Sequence, residues 1–474
     1  MFVDHQLLFR FEIYIVGQQK VLFSRIKSEK MGFIYGLAVV LVIFEGIIIQ
    51  CEGVEDEPSL NCEQDTPIND INEELEFLPD DLIEKIVRKL DFETIFKFIR
   101  FPKQRTTGII MSRIFQDYII EIDKRGRLDV TDIERYHWQG DSFLRICNYE
   151  NFVVFFNEYA DQVKRIQISY SSLSSDVPHK EINQKFIKRC AKHLEELRFG
   201  LRGDEGFWEE ISDGKSNFTF PEVKKFQTEN RSTQKKFDLN LIFPKLESLK
   251  LDGTVVDGNC LANLKGLTEF TLRTGSIEEH KLDDLFANNK NLTMIDLFMP
   301  NRTETMRSIA KYATKLETLR VERPGEAIAN GYFSFDMPNL KELILNIFRP
   351  IGQMFNFINF FKKLEKVKIY SCDSFAVERI GELQHIREIE TTIYEVKTES
   401  LKKMFESFDG KCKLQTLKFQ YFLNSDSESD YEAVMIEIDI YLQNAMEGTW
   451  TLSRKKQIGS IEKNFVFSRK PSKK

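Results

Sequence analysis

The residue types that most often do covalent chemistry are scattered along this chain of 474 residues. Its histidines (His5, His137, His179, His193, His280, His385) are dispersed, and its cysteines (Cys51, Cys62, Cys147, Cys190, Cys260, Cys372, Cys412) show no C-x-x-C spacing. None of G-x-G-x-x-G, G-x-x-x-x-G-K-[ST], H-E-x-x-H or G-x-S-x-G occurs. No catalytic residue, no metal site and no cofactor is expected, so the chain does not read as an enzyme. What does recur is a polar position inside a repeated hexapeptide, occupied in turn by Gln167, Arg198, Gln227, Lys250, Thr271, Asp296, Arg320, Ile344, Lys368, Glu390 and Lys418. Five of these are basic and two acidic, in a chain whose net charge is −7. Their chemistry is recognition, by hydrogen bonds and charge. The expected target-binding residues are Arg198, Lys250, Asp296, Arg320, Lys368, Glu390 and Lys418, in a modestly basic groove suited to an acidic or phosphorylated protein target that the sequence does not identify. The overall acidity, with a pI near 5.7, gives no support to nucleic acid as a partner.

The element that must hold this row is the hexapeptide itself: apolar, two variable, apolar, one variable, apolar. Copies are VKRIQI at 163, LEELRF at 194, LESLKL at 246, LTEFTL at 267, LTMIDL at 292, LETLRV at 316, LKELIL at 340, LEKVKI at 364 and LQTLKF at 414. Degenerate copies are VKKFQT at 223 and IREIET at 386. A single strand of this kind cannot bury its apolar residues, but stacked copies form a parallel sheet with a continuous core. Stretches such as ETMRSIAKYATK and GQMFNFINFFKK read as helices that cover the outer side. The pattern and its period resemble leucine-rich repeats. That resemblance implies a curved α/β solenoid with parallel strands on the concave face and helices on the convex face. The family usually places Asn or Cys three residues beyond the last apolar position, and Cys372 fits that place. The irregular spacing is closer to the degenerate repeats of F-box proteins than to extracellular repeat receptors.

The N-terminal region has a different character. Residues 1–30 mix apolar and basic residues, and Met31 is a candidate initiator. Gly32–Phe44 is uncharged, Glu45 interrupts it, and Gly46–Cys51 continues it. Counted from Met31, the run has the length of a signal-peptide core. Counted from Met1, residues 32–51 are long enough to contact and cross a bilayer as a helix. A buried core helix is the third reading. Residues 54–76 are acidic without Lys or Arg, as in a solvated linker. The four N-x-[ST] sites, at Asn217, Asn230, Asn291 and Asn301, do not establish secretion. At the other end, Asp426–Asp439 is acidic and Arg454–Lys474 basic, which reads as a frayed, charged tail.

Between linker and repeats stands FLPDDLIEKIVRKLDFETIFKF. Pro79 suits a first helical turn, Asp80 and Asp81 suit the positive end of a helix dipole, and Leu82, Ile83, Ile86, Val87 and Leu90 make a wide apolar stripe. Ile95–Ile99 suggests a second helix and Ile109–Ile122 a third. So small a helical unit leaves apolar surface for a partner or the next domain to bury. The stretch LPDDLIEKIVRKLDFETIFKF resembles the F-box. The resemblance implies docking onto the Skp adaptor of a cullin-type ubiquitin ligase through Leu78, Pro79, Leu82, Ile83, Ile86, Leu90 and Ile95. The expected layout is a signal peptide or membrane anchor over 1–53, an acidic linker over 54–76, an F-box-like helical domain over 77–125, a repeat solenoid over 126–425 and a charged tail over 426–474. That domain order is similar to the secreted effectors of plant-feeding insects, which implies secretion from Met31 followed by action in a host cytosol. Anchoring through residues 32–51, or secretion as a ligand-binding repeat protein with no ubiquitin role, is the alternative.

Overall fold

A computed structural model of the chain describes residues 79–80, 83, 105–123, 133–138, 141–146, 157–169, 182–200, 207, 218–229, 239–252, 258–273, 277–298, 303–322, 336–346, 352–394, 397–408, 412–422, 436, 440, 450–455 and 462–469. Contacts divide the chain after Ile71, and the first unit, Met1–Ile71, lies wholly outside the described residues. The expected leader or anchor and the acidic linker therefore lie outside them too. Among the described residues no helix is long and apolar enough to cross a membrane. The second unit, Asn72–Lys474, holds the elements that follow.

Each hexapeptide becomes one strand. In chain order these are β4 (Arg165–Ser169), β5 (Glu196–Phe199), β6 (Lys225–Thr228), β7 (Ser248–Asp252), β8 (Glu269–Arg273), β9 (Met294–Phe298), β10 (Thr318–Glu322), β11 (Glu342–Asn346), β12 (Lys366–Cys372), β13 (Glu388–Tyr394) and β14 (Thr416–Phe422). They pair in sequence order, all parallel, residue for residue within the motif: Leu249 lies opposite Phe270, Phe270 opposite Ile295, and Ile295 opposite Leu319. One backbone device repeats along the array. The carbonyl of the motif's second residue accepts from the second and third N–H groups of the next copy, as Glu247 O does from Thr268 N (2.8 Å) and Glu269 N (3.1 Å). The first and fourth positions are buried in every copy, from Val163 and Ile166 to Leu414 and Leu417. This stacking gives each strand the apolar neighbours that it lacks alone.

Helices cover the buried side. They include α1 (Arg105–Asp117), α2 (Glu279–Asn288), α3 (Thr303–Tyr312), α4 (Gly352–Phe360), α5 (Ser374–Ile380) and α6 (Thr398–Ser407). Each turns a stripe inward: Leu282, Leu285 and Phe286 in α2, Met306 and Ile309 in α3, Leu401, Met404 and Phe405 in α6. Phe270 of β8 meets Phe286 of α2 edge-on, ring centroids 6.3 Å apart, which fixes the helical layer on the fourth-position side of the sheet. A long, mostly parallel sheet with helices on one face is the α/β architecture that the repeats imply.

Both ends of the sheet depart from the expectation. The helix expected over Ile109–Ile122 stops at Asp117, and β1 (Ile119–Asp123) follows. Ile119 and Ile120 are both fully buried, and β-branched neighbours suit a strand with both faces covered. The sheet thus begins before residue 126. Its strands β1, β3 (Asp141–Ile146) and β2 (Ile133–Trp138) extend the array beyond β4, with β2 antiparallel to β3. At the other end, β15 (Trp450–Lys455) and β16 (Glu462–Arg469) form an antiparallel hairpin, and β16 pairs antiparallel with β14. Residues 450–455 and 462–469 are therefore sheet rather than frayed tail. The driving force lies in KNFVFSR: Phe467 is buried, its ring 5.2 Å from that of Phe405. The hairpin also satisfies the ladder edge that β14 would leave open.

Candidate functional site

A pleated strand sends alternate side chains to opposite faces. With the first, fourth and sixth motif positions under the helices, the third and fifth project from the other face. The register sets the fifth positions side by side in one row: Glu121 of β1, then Gln167, Arg198, Gln227, Lys250, Thr271, Asp296, Arg320, Ile344, Lys368, Glu390 and Lys418. The third positions make a second row on the same face, running Arg165, Glu196, Lys225, Ser248, Glu269, Met294, Thr318, Glu342, Lys366, Glu388 and Thr416. The structure thus brings all seven expected recognition residues onto one row.

Their charges do not add up to a basic groove. Neighbouring strands carry opposite charges, and these close on each other. Arg198 reaches Glu196 (2.5 Å) and Asp141 (2.8 Å), and Arg165 reaches the same two carboxylates at 2.7 and 3.3 Å. Arg273 binds Asp296 at 2.9 Å, while Arg320 stands 3.6 Å from its other oxygen. Lys368 pairs with Glu390 (3.1 Å) and Lys418 with Glu388 (2.8 Å); Lys366 sits between Glu342 (3.3 Å) and Glu388 (3.7 Å). Burial acts to raise the Glu388 carboxyl, but the bond from Lys418 and the charges of Lys366 and Lys418 outweigh it and hold the group below its ordinary range. Apart from Arg198–Glu196, which lie on one strand, these are the cross-strand pairs that stabilise sheets. Counting one column overstated the positive charge, because the compensating acids stand in the adjoining column or on a neighbouring strand.

Lys250 is the exception in its row. Register places neutral Gln227 and Thr271 on either side of it. Gln227 spends its amide donor on Glu229 (2.9 Å). Among the described residues no carboxylate lies within ion-pair reach of the Lys250 ammonium, although the side chain is half-buried. Burial lowers its pKa, and Arg273 and Arg198 push the same way, against the pull of Glu229 and Asp252. Two strands away, Asp296 is 6% exposed, and its Oδ1 has no hydrogen-bond partner among the described residues; nor have the Nε groups of Arg273 and Arg320.

Of the residues expected to dock the Skp adaptor, only Pro79 and Ile83 are described; Leu78, Leu82, Ile86, Leu90 and Ile95 lie outside the described residues. The helix starts at Asp80, with the Ile83 N–H bonded to the Pro79 carbonyl (3.1 Å), as the Leu-Pro start implied. Pro79 is exposed. Ile83 is fully buried, so its side chain faces inward and offers no surface to a partner. Cys372, where the repeat pattern implies a turn, instead ends β12 opposite Ile393, after a register shift; its Sγ stands 3.9 Å from Ile369 O, and burial pushes its thiol up to about 12. One structural residue escaped the sequence reading. Asn289, at the end of α2, is buried and accepts from Leu267 N (2.9 Å) while donating to Leu264 O (2.8 Å) and Leu285 O (2.7 Å). It ties one repeat to the turn of the previous one. Its signal was an Asn directly after an amphipathic helix, in a place that the strand-based motif does not cover.

No protein-family model matches the sequence, and no curated protein matches it. Among solved structures, the chain aligns with the one titled "Crystal structure of TLR13-ssRNA13 complex" at 12% identity and a TM-score of 0.28. The alignment covers 56% of this chain and 54% of that one, so the chain spans about half the length of its structural neighbour. A superposition that loose carries no argument. The fit to a leucine-rich-repeat solenoid rests on the strand order, the register and the buried motif positions of this chain.

Proposed function

We propose that the chain is a non-catalytic adaptor. The segment resembling the F-box holds the Skp adaptor of a cullin-type ubiquitin ligase, and the polar face of the sheet holds a target protein. Ubiquitin transfer belongs to other subunits, and the adaptor's contribution is proximity. The observation that carries this reading is LPDDLIEKIVRKLDFETIFKF standing N-terminal to the repeat array in the same chain. The exposed Pro79 at a helix start agrees with it. The buried Ile83 restricts the docking surface to the remaining apolar residues of the stripe. The test is capture of purified Skp adaptor by the full chain, compared with a Leu82→Asp, Ile86→Asp variant. Recovery that the double substitution abolishes is expected, and no recovery by the unaltered chain overturns the reading. The apolar run Gly32–Phe44 favours a second reading, a secreted or membrane-anchored ligand-binding repeat protein without a ubiquitin role.

A further inference from the structure

Along much of the polar face, charges are closed locally. Arg165 and Arg198 share Glu196 and Asp141, Arg273 and Arg320 share Asp296, and the lysines of β12 and β14 are held by Glu342, Glu388 and Glu390. Lys250, between the first two clusters, has a half-buried ammonium with three donors and no acceptor among the described residues. We propose that Lys250 is the anchor of an oxyanion subsite on this face, where it takes a carboxylate or phosphate carried by a polypeptide target. The proposal rests on the reading of this face as the target-binding surface and adds to it the chemistry of the group recognised.

Three observations support it. A partly desolvated charge without a hydrogen bond is costly, and a ligand oxygen supplies an acceptor that the described residues do not. The flanking residues by register, Gln227 and Thr271, are neutral, so an anion at Lys250 meets no carboxylate in its own row until Asp296 on β9. The adjacent cluster also has a spare donor: Arg273 is held by Asp296 through Nη2 (2.9 Å) but leaves its Nε–H without an acceptor among the described residues. Glu229 and Asp252 act on Lys250 from a distance, and neither is within ion-pair reach. Both carboxylates offset part of the Lys250 charge and repel an incoming anion, so the bound oxygen must lie close to the ammonium to gain from it.

The test uses the full chain and three fluorescent peptides of equal length, rich in Gln, in Glu, or in phosphoserine, with anisotropy as the readout. The expected result is that the Glu or the phosphoserine peptide binds about tenfold tighter than the Gln peptide. The stronger of the two identifies the source of the oxyanion. Lys250→Met should erase the difference, Lys250→Arg should keep it, and Lys341→Met, which removes a cation outside the row and paired with Glu317 at 2.8 Å, should leave it intact. Thermal unfolding of each variant separates lost recognition from lost fold. Equal binding of all three peptides by the unaltered chain, or retained discrimination in a folded Lys250→Met protein, overturns the proposal. Capture of Skp adaptor by the same samples reports separately: its failure removes the adaptor reading and leaves the anion subsite standing.

Discussion

Asn289 joins two neighbouring repeats through buried hydrogen bonds, and its removal leaves several polar groups unsatisfied. It is 2% exposed and makes three hydrogen bonds, two of them to the preceding repeat. Asn289→Ala leaves the Leu267 N–H without its side-chain acceptor, in a buried turn that water does not reach. It also leaves the Leu264 and Leu285 carbonyls without that donor. An unsatisfied buried donor costs about 1–3 kcal/mol, and carbonyls, with a second lone pair, cost less, so the sum is about 3 kcal/mol. The neighbouring Asn288 supplies the control. Its single bond, to Ala262 O at 2.7 Å, is exposed, water can replace it, and Asn288→Ala should cost about 0.5 kcal/mol. Repeat arrays need not unfold in one step, so a global midpoint alone could hide a local effect. The sharper assay is hydrogen exchange of the segment containing Leu267. At 1.4 kcal/mol per decade, Asn289→Ala should speed its exchange about a hundredfold, and Asn288→Ala by about twofold. Equal protection of Leu267 in the two variants would refute the assignment of Asn289 as the inter-repeat clamp.

Two further perturbations test other joints. His385 is half-buried with Nε2 3.2 Å from Phe361 O; burial lowers its pKa, the carbonyl bond opposes this, and Lys362 and Lys413 lower it further. The folded chain therefore takes the proton later than the unfolded chain does. Stability should be unaffected by this group above about pH 6.5, fall as the pH drops through that value, and level off below the folded pKa. Urea midpoints from pH 7.5 to 5.5 should show less slope in His385→Gln, and parallel curves would contradict the sign. Gly381 closes α5 against α6, and a Cβ built there would stand 2.5 Å from Ser407 Cβ. Gly381→Ala should cost about 1–3 kcal/mol, and adding Ser407→Gly should restore most of it; additive losses in the double variant would sink the contact argument.

The repeats were legible because burial forces them. Leu316, Leu319 and Val321 must be apolar for β10 to sit between β9 and β11, so the six-residue pattern shows at every copy. The two ends were less legible, and for one reason. β1 and β16 belong to the sheet but not to the repeat. The IIEID of β1 follows directly on the apolar stripe of α1, so helical periodicity ran on past Asp117. In β16, Phe467 lies in a stretch whose basic flanks dominate its composition, and only pairing with β14 and burial against Phe405 show its purpose. Asn289 was missed because its partners, Leu264 and Leu267, are defined only once the preceding turn exists.

Charge was the hardest to read, and the reason bears on the proposed site. A column read down the repeats treats each fifth-position residue as if it faced only solvent. In the folded sheet its nearest neighbours are the third and fifth positions of the strands on either side, some two dozen residues away in sequence. Lys368 and Glu390 face each other across β12 and β13, and Lys418 reaches across to Glu388 on the same neighbouring strand. Arg198 needs Asp141, from a strand outside the repeats altogether. Once these pairs are closed, the number of basic residues in the row says little about what the face attracts. What remains informative is the position where the alternation fails. Had Gln227 or Thr271 been Asp or Glu, Lys250 would be one more internal pair. With neutral neighbours on both sides in its row, the half-buried Lys250 has no ion-pair partner among the described residues, and a ligand is the simplest source of an oxygen for it.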